Sequence, residues 1–128
     1  MALTPKQISS APKRRERLLA ICEQLPEVEV QPVGEEHLQF QVRKKTFLYY
    51  MFDHHGNGRI AAACKSTKEE QGRLVTDDPE HFFVPAYLGP SGWIGIYLDT
   101  GRVDWEVVGM YAAAAWRMVA PKRLLENL

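Results

Sequence analysis

Seven cations in this chain sit where a polyanion could meet them. Arg14, Arg15 and Arg17 lie in a run of helical apolar spacing. Arg43, Lys44 and Lys45 occupy a turn between two alternating segments, and Arg59 follows the turn His54-His55-Gly56-Asn57-Gly58. Basic hairpin tips suit contacts to nucleic-acid phosphates, which position a duplex without reading its bases. His54, His55 and Asn57 add polar atoms to the second tip. The plainer explanation of the same residues is that turns are polar because they face water.

A second group of residues could hold a small molecule. Lys65 ends an apolar segment just before Thr67-Lys68-Glu69-Glu70, and its ammonium together with the amides of a helix start suits an anion. Tyr87 and Trp93 border a loop containing Gly89, Pro90 and Gly92. Their rings can stack on a base or another planar ligand, or can simply plug the end of a sheet. Other chemistries lack the residues to carry them. Adjacent histidines such as His54 and His55 rarely address one ion, and no Cys-x-x-Cys or His-x-x-x-His accompanies them, so no metal is expected. The nucleophile elbow, the phosphate-binding glycine loop and the dinucleotide fingerprint are all absent, so no catalytic residue and no cofactor is expected. Asp53, Asp99 and Asp104 read as turn and cap residues.

These residues need elements to position them. Residues 1–10 read as a flexible leader and 11–128 as one domain. Leu18, Leu19, Ile21, Cys22 and Leu25 recur at helical spacing, which predicts a first helix over 11–25, capped by Ser9 or Ser10 with Pro12 in its first turn and stopped by Pro26. Residues 27–31 alternate and read as a short edge strand before Pro32. Leu38, Phe40 and Val42 alternate with Gln39, Gln41 and Arg43, a strand with one wet face. Residues 47–52 are almost all apolar, as in a central strand covered on both sides. Ile60 to Cys64 is the next strand. Thr67 and Glu70 form a capping box for a short helix to about Val75. Trp93 to Leu98 is the last strand, and Asp104 caps a last helix with its buried stripe at Trp105, Val108, Ala112, Ala115, Trp116 and Val119, ended by Pro121. The order α-β-β-β-β-α-β-α predicts an α+β fold in two layers, an antiparallel sheet with helices packed mainly on one face.

The totals agree with this architecture. A chain of 128 residues has the size of one domain. Its 45% apolar and 25% charged residues are those of an ordinary globular core and surface. No apolar run reaches the roughly 20 residues of a membrane helix, and the N-terminus lacks a signal-peptide pattern, so no membrane partner and a cytoplasmic location are expected. Cys22 and Cys64 then read as free thiols in the core. Sixteen basic residues balance sixteen acidic ones, which disfavours strong indiscriminate attraction to nucleic acid.

Several short motifs recur together: Leu25-Pro26, Lys45-Thr46-Phe47, Asp78-Pro79-Glu80-His81-Phe82-Phe83, Pro85-x-Tyr87-x-Gly89-x-x-Gly92-Trp93, Asp104-Trp105 and Ala120-Pro121-Lys122-Arg123-Leu124. In this combination, over roughly residues 13–125, the chain resembles the MmcQ/YjbR-like family. Ala86 departs from the pattern, standing where many relatives carry proline. The resemblance implies a CyaY-like or secretion-chaperone-like α+β fold and a double-wing mode of DNA binding. It implies no catalytic residues. The expectation is therefore a small non-catalytic binding module that meets DNA, weakly and salt-sensitively, through Arg14, Arg15, Arg17, Arg43, Lys44, Lys45 and Arg59. The alternatives are a protein-binding or chaperone-like adaptor, and a binder of small planar or anionic ligands at Lys65, Tyr87 and Trp93.

Overall fold

A capping box starts the first helix earlier than the serines would. In the computed structural model, which describes residues 3–126 apart from the His55 side chain, α1 spans Pro5–Glu23. Thr4 accepts from the Gln7 amide at 3.2 Å, and the Gln7 side chain accepts from the Thr4 amide at 2.7 Å. With proline at the first helical position this signal wins over Ser9 and Ser10. Their hydroxyls instead donate back to the carbonyls of Lys6 and Gln7. Residues 5–10, expected as leader, are therefore helical, and Pro12 lies inside the helix. Burial of Ala11, Leu18 and Cys22 offsets the hydrogen bond that Pro12 removes.

Four strands follow as a meander. They are β1 (Val28–Val33), β2 (His37–Val42), β3 (Lys45–Phe52) and β4 (Ile60–Cys64). β1 runs through Pro32, which faces Leu38 across the ladder. The expected stop at Pro32 fails because β1 is an edge strand, where a missing donor costs no ladder bond. Between β2 and β3 the register skips Phe47, so Phe40 faces Leu48 and Gln41 faces Thr46. This bulge delivers both Phe47 and Leu48 to the core. After β4 come α2 (Lys68–Asp77), the two-residue β5 (Phe82–Phe83), β6 (Ile94–Tyr97), α3 (Trp105–Val119) and the single turn α4 (Lys122–Leu125). The sheet order is β1-β2-β3-β4-β6-β5 and every pairing is antiparallel. β5 and α4 are additions to the expected order. Thr67 caps α2 as predicted, but Glu70 does not return the bond, because its carboxylate meets Arg73 and the Tyr111 hydroxyl.

The core lies between α1, α3 and one face of the sheet. Trp116, Tyr50, Phe40, Phe47 and Leu18 are its largest fully buried side chains, each contributing about 1.5–3 kcal/mol on burial. Cys22 and Cys64 are buried free thiols; burial, with a smaller push from Glu23, raises Cys22 to about 12. The other face is covered in part by residues 84–93, where Trp93 packs on Met51, Ala63, Tyr49 and Leu88. Among the described residues no helix is long and apolar enough to cross a membrane.

Candidate functional site

Consecutive hairpins of a meander alternate between the two ends of a sheet. The Arg43-Lys44 turn and the 53–59 turn therefore lie at opposite ends of β3, about 24 Å apart for an eight-residue strand. The two expected wings do not share a surface.

Two of the expected phosphate contacts are committed inside the fold. Arg59 grips Asp99 through Nη2 at 2.8 Å and Nε at 3.1 Å, and its guanidinium stacks 3.6 Å above the Tyr97 ring. Asp99, whose side chain is 1% exposed, also accepts from the Ile60 amide at 2.8 Å and from Gln7 Nε2 at 3.0 Å. Burial pushes the Asp99 carboxyl up, but the bonds from Arg59, Ile60 and Gln7 outweigh it and hold the group below its usual value. Arg14 donates to the Leu98 carbonyl and to Ser10. Both arginines tie α1 and the start of β4 to the end of β6. Arg17 lies over the Trp105 ring on the α3 side. Arg15, two residues earlier on α1, falls about 160° away around the helix. Arg14 and Arg17 share one surface with Ser10, Lys13 and Trp105, and Arg15 stands apart from it.

The other cations converge. The Arg43-Lys44-Lys45 turn stands at the end of the sheet where β4 finishes, since the Lys65 amide bonds the Phe47 carbonyl at 2.9 Å. α2 begins at that same end with Lys68. α3 runs back along the sheet to it. Trp116 Nε1 donates to the Pro26 carbonyl at 3.0 Å, next to Glu27 and the Arg43 turn. Arg117 closes α3, and Lys122 and Arg123 form α4 just beyond. One end of the molecule thus carries Arg43, Lys44, Lys45, Lys65, Lys68, Arg117, Lys122 and Arg123. These outnumber its acids Glu23, Glu27, Glu69, Glu70 and Glu126, of which Glu27 pairs with Arg43 at 3.2 Å and Glu70 with Arg73. The opposite end holds Glu35, Glu36, Asp53, Asp77, Asp78, Glu80, Asp99, Asp104 and Glu106 at its turns and helix termini, together with the cations Lys6, Arg14, Arg17, Arg59 and Arg102. Each end therefore mixes both signs, with cations in excess at one pole and acids in excess at the other. Lys68, Arg117, Lys122 and Arg123, distant from the Arg43 turn in sequence, come to the same end of the molecule.

The basic turn is also strained. Arg43 and Lys44 have φ of 48° and 69°, and the neighbouring Glu27 has 56°. Hairpin turns of this hand favour Asn-Gly, and a branched-off Cβ in this region costs about 1–2 kcal/mol per residue.

The aromatic loop divides its two rings. Trp93 is 6% exposed and Tyr87 is 80% exposed, so they build no common stacking wall. Buried Gln71 fixes the loop, donating from Nε2 to the carbonyls of Gly89 at 2.9 Å and Trp93 at 2.7 Å. Gly92, with φ 87°, presses on the start of α2; a Cβ there would lie 2.8 Å from the Lys68 amide nitrogen. The loop thus covers the side of the helix start where an anion was expected beside Lys65. His54 packs edge to face on His37 at 5.4 Å, while the His55 side chain lies outside the described residues. Among the described residues, no three His, Cys, Asp or Glu side chains group so as to hold a metal ion.

The chain is similar in structure to Deinococcus radiodurans protein DR2400, a DUF419 domain, with TM-score 0.69 and 21% identity over 84% of this chain and 79% of that one, a likeness of fold. No curated protein matches it. Residues 23–118 match the YjbR family, from the end of α1 to the last turn of α3, and the chain belongs to that family.

Proposed function

We propose that this YjbR domain is a non-catalytic module that binds polyanions, with duplex DNA as the ligand, through its basic end rather than through two wings. The observation that carries this reading is the convergence of the Arg43-Lys44-Lys45 turn, the Lys65–Lys68 segment and the Arg117–Arg123 segment at one end of the sheet. Phosphate contacts need charge within reach of one surface and no particular base-reading geometry. The acidic pole turns the molecule so that the basic end faces the ligand, which steers encounter without tightening the complex. Lys44 and Lys45 are exposed at the turn and form no ion pair among the described residues, whereas Arg43 is shared with Glu27.

Amide resonance mapping against a mixed-sequence duplex tests the reading. Perturbations concentrate at residues 43–45, 65–68 and 117–123 if it holds. Perturbations centred on 53–59 and 14–17 would restore the two-wing arrangement instead. The adaptor alternative has one feature in its favour: Met110, Ala114 and Met118 are exposed and fall at four-residue intervals along the outer side of α3. It predicts self-association in sedimentation that Met110→Glu with Met118→Glu abolishes.

A further inference from the structure

The sheet face opposite α1 and α3 holds a groove of about 200 Å3. It is lined by Met51 and Leu88, by the rings of Tyr49 and Tyr87, and by His37 and His54. The His37 ring is fixed in place, since its Nε2 donates to the Phe52 carbonyl at 3.0 Å. Among the described residues, no Asp, Glu, Lys or Arg lines the groove. It lies beside the 53–59 turn, far from the basic end, and shares no residue with it.

Two features separate this groove from an ordinary crease. Tyr87 has φ 66°, a conformation that bulky side chains rarely adopt, and its ring is nevertheless 80% exposed. Strain of this kind clusters at ligand clamps. The loop that holds Tyr87 is itself rigidly anchored by Gln71, Gly89 and Gly92. The lining combines apolar and aromatic surface with a few polar ring atoms, the composition of a small-molecule site. Its size suits one ring or two fused rings, since an apolar cavity of about 150 Å3 accepts benzene.

We propose that this groove binds a small uncharged aromatic molecule, its ring set against Tyr49 and Tyr87. Indole is the probe, added to the full chain to about 5 mM, a concentration that detects millimolar binding. The expected result is a saturable shift of the His37, Tyr49, Met51 and Leu88 amides, with a negligible response to cyclohexanol. Tyr87→Ala, at an exposed position outside the core, should weaken indole binding about three- to tenfold by removing one aromatic contact. No shift at those amides, an equal response to cyclohexanol, or unchanged affinity in Tyr87→Ala would each overturn the proposal.

Discussion

Asp99 shows how much of this fold hangs on single side chains that look ordinary in the sequence. It is forty residues from Arg59 and ninety-two from Gln7, yet it joins both to the Ile60 amide in one buried cluster. Nothing local marks it as more than a turn aspartate, because its partners become neighbours only when β4 pairs with β6 and α1 docks. Asp99→Asn should cost about 3 kcal/mol in urea denaturation near neutral pH, since it leaves the Arg59 charge without its buried partner. The carboxyl is held below its usual value in the folded protein. The stability it contributes is therefore present above the unfolded value of about 3.9 and is lost as pH falls through the lower folded value. The gap between wild type and Asp99→Asn should narrow as the medium is acidified below about pH 4. A gap that widens would contradict the assignment. Gly92 makes a second case at this scale. Gly92→Ala places a methyl against the Thr67-Lys68 backbone in a left-handed conformation and should destabilise the protein by at least about 2 kcal/mol.

At the scale of elements, the periodic signals were legible and the competitions between signals were not. Alternation at Leu38, Phe40 and Val42, the stripe of α3 and the cap at Asp104 are found where expected, because each is set by neighbours within one turn or one strand. α1 starts earlier because two capping signals lay in the same segment and the one with proline at its first position and a reciprocal glutamine prevailed. β1 passes through Pro32 because edge position depends on sheet order, which no local pattern reveals. Tyr87 and Trp93 parted for a similar reason: Gln71, on another element, fixes the backbone between them. The Arg43-Lys44 turn yields the prediction proper to this scale. Replacing it by Asn-Gly puts glycine at one left-handed position and the more tolerant asparagine at the other, and should raise stability by about 1–2 kcal/mol, measured by thermal or urea unfolding. The same change should weaken duplex binding. A turn kept strained although a more stable one is available fits a role for its side chains in binding.

For the whole molecule, the family and the α+β architecture were readable from a handful of motifs, whereas the distribution of charge was not. Residue counts give zero net charge, and only the antiparallel order sorts the cations of the Arg43 turn, the start of α2 and the end of α3 to one pole. The proposed binding surface is that pole, while Arg14, Arg59 and Asp99 serve the fold. The most direct test is a fluorescence-polarisation titration of a labelled mixed-sequence duplex at about 50 mM and about 200 mM salt, the range over which phosphate-driven affinity falls steeply. It compares wild type with the triple variant Lys44→Gln, Lys45→Gln, Arg123→Gln and with the double variant Arg15→Gln, Arg17→Gln. The account predicts wild-type dissociation constants of about 1–100 μM at the higher salt, and tighter binding at the lower. It predicts a salt slope reduced by about three in the triple variant and nearly unchanged in the double variant. No binding by wild type at the lower salt, or an equal loss in both variants, would contradict it.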